Sequence, residues 1–161
     1  MNWAQNKNSH GVFLDVCSAF DKVWHRGLLA KLSQAGVDGM FYDIISSYLD
    51  NRKQIVVVDG KKSDILDIRA GVPQGSRLGP LLFLIYMNDI TDDIESDILI
   101  FADDTSLFVT GTDPAETAEI LNRDLQKISS WATRWKVKFA ETAEILNRDL
   151  QKISSEKYNF F

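Results

Sequence analysis

Ile98-Leu99-Ile100-Phe101-Ala102-Asp103-Asp104-Thr105-Ser106-Leu107-Phe108-Val109 joins two apolar, strand-like runs through a pair of aspartates. Strands this apolar are expected to be half or fully buried, and a buried carboxylate without a partner is costly. A hairpin whose tip carries both acids avoids that cost and presents oxygen ligands suited to a hard divalent cation. Far upstream, Asp15 in Gly11-Val12-Phe13-Leu14-Asp15-Val16 also ends a strand-like apolar run. Three carboxylates at the ends of two strands have the layout that two-metal phosphoryl transfer requires.

The chain has 161 residues, 45% of them hydrophobic and 25% charged, which suits one soluble domain with a real core. Its longest strongly apolar stretch, Leu81 to Met87, is too short to span a bilayer, and the polar N-terminus lacks a signal-peptide pattern. An intracellular protein of cytoplasm and nucleus is expected. The single cysteine, Cys17, excludes an internal disulfide and reads as packing. A net charge of −5 argues against a free-standing nucleic-acid binder.

Outward from the hairpin, the pattern predicts helices over Trp24 to Gln34, Phe41 to Leu49 and Leu78 to Ile90. Strands are expected over Gln54–Val58 and Ser63–Ile68, with Asp59-Gly60-Lys61-Lys62 as the turn between them. Asp113-Pro114-Ala115-Glu116 is a helix start, with Asp as N-cap and Pro at N1, and Leu121, Leu125 and Ile128 form the apolar stripe that follows. Trp131 and Trp135 read as core, and Lys136 to Phe139 as a short strand. His25 reads as a surface residue at a helix start, and His10 as part of a disordered arm. The segment AETAEILNRDLQKISS occurs twice without change, at 115–130 and 140–155. Two perfect copies suggest a duplication event rather than an architectural repeat. The second copy lacks the Asp-Pro start and is expected to form a less well capped helix.

Four segments in order carry a resemblance: Phe13-Leu14-Asp15-Val16-Cys17-Ser18-Ala19-Phe20-Asp21; Gly71-Val72-Pro73-Gln74-Gly75-Ser76-Arg77; Phe101-Ala102-Asp103-Asp104; and the helix running into Trp131-Ala132-Thr133-Arg134-Trp135-Lys136-Val137-Lys138-Phe139. Over about residues 11–139 the chain resembles the reverse transcriptase palm of non-LTR retrotransposons, in particular the jockey-like group. The implied fold is α+β, a small antiparallel sheet backed by helices, with part of the fingers and no thumb. The implied organisation is a disordered arm over 1–10, the palm with partial fingers over 11–139, and a duplicated helical tail over 140–161.

The resemblance implies two Mg²⁺ ions, with Mn²⁺ as a substitute, joining a primer 3′-hydroxyl to an incoming nucleotide. It implies Asp15 and Asp103 as bridging ligands, Asp104 as a weaker ligand and the Val16 carbonyl as a further one. It implies nucleotide contacts at Ser18, Ala19, Phe20, Gln74 and Gly75. Alone, Phe20 reads as core; in the family frame it closes the sugar pocket against a 2′-hydroxyl. Asp21 muddies that reading, since ribonucleotide polymerases carry an aspartate close by. As template or primer contacts, Arg77 could reach phosphate or be solvated, and Arg52 could touch template or simply close the helix at Leu49. The implied partners are an RNA template, a DNA primer and deoxynucleotide triphosphates, with no membrane. The basic fingers motifs, the thumb and the lysine expected after Phe139 have no match in this sequence. The chain is therefore expected to be inactive alone and to self-associate through uncovered faces. The alternative is a degenerate, non-catalytic remnant that serves as an interaction module.

Overall fold

The computed structural model describes residues 8–140, and the backbone of 144–147. The chain divides into two compact units, one formed by residues up to Cys17 and from Asp89 onward, the other by Ser18–Asn88.

The first unit is a four-stranded sheet of order β6-β7-β1-β8 with one long helix. Its members are β1 (Asn8–Asp15), β6 (Asp97–Phe101), β7 (Asp104–Gly111), β8 (Glu144–Asn147) and α4 (Pro114–Trp135). Period-2 alternation sets the faces of the sheet. His10, Val12, Leu14, Thr105, Leu107 and Val109 point to the buried side. There α4 packs its buried stripe of Leu121, Leu125 and Ile128 on β1 and β7. The helix begins as its sequence dictates: the Asp113 side chain accepts from the Ala115 N–H at 2.9 Å, with Pro114 at the first position. Trp131 and Trp135 are buried, and the Trp131 indole donates to Asp89 Oδ1 at 2.8 Å.

The strand begins earlier than the sequence pattern suggests. His10, expected in a loose arm, is buried, and its Nδ1 lies 2.8 Å from the Thr117 hydroxyl. The cause is backbone pairing: β7 extends to Gly111, and its ladder recruits the polar Asn8 and Ser9 as partners. Residues 1–7 of the expected arm lie outside the described residues. In the second copy of the duplication, Glu144–Asn147 is a strand antiparallel to β1, not the start of a helix. The same four residue types are helical in α4, at 119–122. The second copy has no Asp-Pro cap, and the far edge of β1 offers unpaired backbone groups, so the ladder outweighs helix propensity there. Apart from Ala140, the rest of that copy lies outside the described residues.

The second unit contains α1 (His25–Gln34), α2 (Gly39–Leu49) and α3 (Leu78–Met87), with α1 in contact with both others. Leu28, Leu32, Leu49, Leu82, Phe83 and Tyr86 are buried. Only Leu49 of α2 is fully buried, so the stripe of Met40, Phe41 and Ile44 stays exposed. The two predicted strands break into two short ladders, β2 (Lys53–Gln54) with β5 (Leu66–Asp67), and β3 (Val57–Val58) with β4 (Lys61–Lys62). The turn is Asp59-Gly60, with φ of 49° and 75°, the type I′ pattern that this dipeptide favours. The helix predicted to reach Ile90 ends at Met87, and a 3-10 turn covers Asn88–Thr91. No helix among the described residues is long and apolar enough to cross a membrane.

One buried charge locks the first unit. The Asp124 side chain is wholly buried, yet its Oδ2 accepts from the Ser96 N–H at 2.7 Å, the Ser96 hydroxyl at 2.6 Å and the Glu95 N–H at 3.0 Å. Its Oδ1 faces the Lys127 ammonium at 3.0 Å. Burial pushes the carboxyl up, but these donors together outweigh burial and hold it below the usual carboxylate range. A folded-state value below the unfolded one means stability that is present above the ordinary range and lost as pH falls toward the lowered value. Asp124→Asn is therefore expected to cost about 2 kcal/mol near neutral pH. Urea unfolding across the acid range should show the parent losing stability more steeply than the variant. Parallel pH profiles would contradict this.

Candidate active site

The β6–β7 hairpin closes through a two-residue turn, since Phe101 pairs with Asp104. Of the two central residues, only Ala102 has a positive φ, at 55°. That is the pattern of a type II′ turn, whose first central position normally holds glycine. An alanine there carries a strain of order 1 kcal/mol. The turn puts Asp103 at the tip and Asp104 at the first position of β7. Antiparallel register then sets Asp104 directly opposite Asp15. Both are exposed, on the side of the sheet away from α4. Two observations fix that side: the ring contact between Phe13 and Phe108 at 5.7 Å, and the Ser9–Thr110 hydroxyl contact at 3.0 Å.

Like charges directly opposite in a sheet repel. Among the described residues, neither Asp15 nor Asp104 has a cationic partner to offset that repulsion. Beyond them, Val16 and Phe139 form a bridge whose bonds run from the Cys17 N–H to the Lys138 carbonyl and from the Ala140 N–H to the Asp15 carbonyl. The Val16 carbonyl lies between these bonds and is not one of their acceptors. Cys17 is half-exposed rather than core.

The donor chemistry of this strand end fits a hard divalent cation, which takes one or two carboxylates and fills its remaining positions with water and phosphate oxygens. The gathering of all three aspartates is not seen: among the described residues, no three His, Cys, Asp or Glu side chains could together hold a metal ion. The local reason is that Asp103 sits in the turn, outside the alternation that aligns Asp104 with Asp15.

Ser18, Ala19, Phe20, Arg52, Gln74, Gly75 and Arg77 belong to the other unit. There the loop over residues 71–76 is tied to the segment after Ala19. The Gly71 N–H donates to the Val23 carbonyl and the Val72 N–H to the Phe20 carbonyl, both at 2.8 Å. Gly71 has φ +90°, and a Cβ there would lie 2.7 Å from the Asp21 carbonyl oxygen, so only glycine fits. Phe20 is half-buried against Phe83, with ring centroids 4.9 Å apart, and Ala19 is buried. Gln74 donates its amide to Asp21 Oδ1 at 2.7 Å. Gly75 has φ +76° and open space where a Cβ would be, and Ser18, also at positive φ, is exposed. Arg77 is exposed just ahead of α3. Arg52 lines a cleft of about 630 Å³ together with Arg26, Lys53 and Arg69.

Sequence reasoning missed two members of this loop's support. His25 is not a plain surface residue, since its Nε2 lies 2.8 Å from the Gly71 carbonyl. Asp21 holds Gln74. The only signal in the sequence was the position of both residues just after Phe20.

Residues 1–142 match the family described as "Reverse transcriptase (RNA-dependent DNA polymerase)". The chain belongs to the reverse transcriptase family. This reverse transcriptase domain is 39% identical over 136 residues to the RNA-directed DNA polymerase from mobile element jockey of Drosophila melanogaster, covering 80% of this chain and 15% of that protein. It is 38% identical over 133 residues to the polymerase of the same name from Drosophila funebris, covering 78% of this chain and 14% of that one. A probable RNA-directed DNA polymerase from transposon BS of Drosophila melanogaster is 34% identical over 137 residues, covering 80% of this chain and 15% of that protein. These relatives place the domain among non-LTR, jockey-like reverse transcriptases, and it spans about 15% of their length. An apo telomerase from Candida tropicalis, truncated from its C-terminal domain, shares the fold with a TM-score of 0.66 at 13% identity, over 91% of this chain and 32% of that one.

The opposed carboxylates make a stability prediction. Asp15→Asn removes the cross-strand repulsion and should raise the unfolding free energy by about a few tenths of a kcal/mol, read as a higher urea midpoint in metal-free buffer. The gain should shrink as salt screens the charges. A midpoint that falls, or a gain indifferent to salt, would show that the two acids do not repel.

Proposed function

We propose that this chain is the palm portion, with part of the fingers, of an RNA-directed DNA polymerase that works as part of a longer protein. The palm occupies residues 11–139, and the hairpin over 54–68 belongs to the fingers. The observation that carries the reading is the register that sets Asp15 opposite Asp104 at the end of two strands.

In this reading Asp15 and Asp104, with Asp103 at the adjoining turn and the Val16 carbonyl, would hold two Mg²⁺ ions, with Mn²⁺ able to substitute. When bound, such ions lower the pKa of the primer 3′-hydroxyl and neutralise charge on the phosphates. The chain's own residues supply position. Asp15 and Asp104 fix the metal-binding edge on rigid strands. Ser18, Ala19, Phe20, Gln74 and Gly75 receive the deoxynucleotide, and the half-buried Phe20 ring, backed by Phe83, excludes a 2′-hydroxyl by its bulk. Gly75 leaves room for close approach of the substrate to backbone. Arg52, in its cation-lined cleft, and Arg77 contact the phosphates of the RNA template or DNA primer. A net charge of −5 suits a palm whose basic surface comes from other parts of the enzyme. The exposed Met40, Phe41 and Ile44 are then faces that other segments cover, or through which isolated chains associate.

The exact duplication favours a second reading, a non-catalytic remnant used as an interaction module, because β8 is built from a helix-forming sequence. Metal titration tests the first reading without requiring turnover. Mg²⁺ or Mn²⁺ should raise the melting temperature of the parent and leave that of Asp15→Asn unchanged. Equal shifts in both would remove these carboxylates from any metal site. In primer extension on an RNA template, any activity must vanish in Asp103→Asn; extension that survives the change would overturn the two-metal assignment.

A further inference from the structure

The loop over residues 71–76 is anchored at both ends but not in its middle. At its start, the Gly71 and Val72 N–H groups bond the Val23 and Phe20 carbonyls. At its end, the Ser76 hydroxyl donates to the Pro73 carbonyl at 2.7 Å and accepts from the Gly79 N–H at 2.9 Å. Between them, Gln74 and Gly75 are exposed, and Gly75 has nothing within 4 Å of its Cβ position. Among the described residues, the one side-chain tie on Gln74 and Gly75 is the 2.7 Å bond from Gln74 Nε2 to Asp21 Oδ1.

We propose that Asp21 is a positioning residue that sets which face of the Gln74 amide meets the substrate. An ionised carboxylate accepts and cannot donate, so the group facing it must be the NH₂ and not the carbonyl. That fixes the rotation of the amide about its last bond, which no other contact of Gln74 with the described residues does. It leaves Gln74 Oε1 turned away from Asp21 as an acceptor for a donor on the incoming molecule. Asp21 itself is held by backbone: its carbonyl oxygen would lie 2.7 Å from a Cβ at Gly71, and its N–H donates to the Ser18 carbonyl at 3.0 Å. The aspartate one residue after the sugar-gating Phe20 therefore serves to hold the neighbouring glutamine rather than to read a sugar hydroxyl.

The consequence for substrate rests on the nucleotide-binding reading of Gln74; the bond itself is testable without it. In the ¹⁵N-labelled full chain, the Gln74 side-chain NH₂ resonances should move along a single titration curve as acid protonates the carboxylate. In Asp21→Asn, which keeps the shape and removes the ionisation, that curve should be lost. The Gly71 backbone amide, held by Val23, should keep its chemical shift in the variant and so report an intact loop. Gln74 resonances that ignore pH in the parent would overturn the proposal, as would the same curve persisting in Asp21→Asn. Should the Gly71 amide move in the variant, the parent's own titration curve decides. Failure of metal to stabilise the Asp15 edge would leave this result untouched, so the two readings fail separately.

Discussion

The pairing of β1 with β7 is the constraint on which the rest of the first unit depends. In a sheet with a side-chain period of two, one residue of slip would carry every side chain of β1 to the opposite face. Here the buried Val12 and Leu14 share one side with Leu107 and Val109. Burial of these apolar side chains against α4 specifies the register, and the register places two acids opposite each other on the other face. The hydrophobic core and the carboxylate pair are thus two consequences of one alignment. The repulsion between the acids is affordable because the same ladder carries eight residues of backbone pairing.

Polar buried groups reinforce that alignment from behind. Asp124 on α4 gathers the chain just before β6, through Ser96 and Glu95, and so fixes where the hairpin begins. Thr117, near the start of α4, reaches His10 near the start of β1. Thr105, wholly buried, has a hydroxyl with no hydrogen-bond partner among the described residues. Its β-branched shape packs well in a strand, and the unsatisfied oxygen is a cost that sits one residue from Asp104.

Much of this was legible in the sequence where local chemistry is strong. The Asp113-Pro114 start of α4 and the Asp59-Gly60 turn follow from residue types with narrow backbone preferences, whereas the hairpin closing between Phe101 and Asp104 was signalled by paired acids between two apolar runs. The family was legible for a different reason: four separated motifs in order are far more specific than any one of them. What could not be read depends on partners distant in sequence. His10 looks like part of a polar arm until β7 supplies its ladder, and nothing in the sequence of α2 tells that Phe41 and Ile44 stay exposed. The strand at Glu144–Asn147 reverses the helical propensity of the same residues in α4, because the edge of β1 supplies bonds that no local pattern predicts. For the site, the opposition of Asp15 and Asp104 was within reach of the sequence, whereas the support of Gly71 by His25 and of Gln74 by Asp21 needed the loop to fold back.

The alignment itself can be measured by crosslinking. Directly opposed residues in an antiparallel pair have Cα atoms about 4.5–5.5 Å apart, inside the range that a disulfide spans. In a chain with Cys17→Ser, the double variant Asp15→Cys with Asp104→Cys should close a disulfide under mild oxidation, while Asp15→Cys paired with a cysteine in place of Ser106 should close far more slowly. Rapid closure of the first pair and slow closure of the second is the result this register requires. Equal rates, or preference for the second pair, would mean that the two acids do not face each other and that the strand end is not the metal-binding edge of a polymerase.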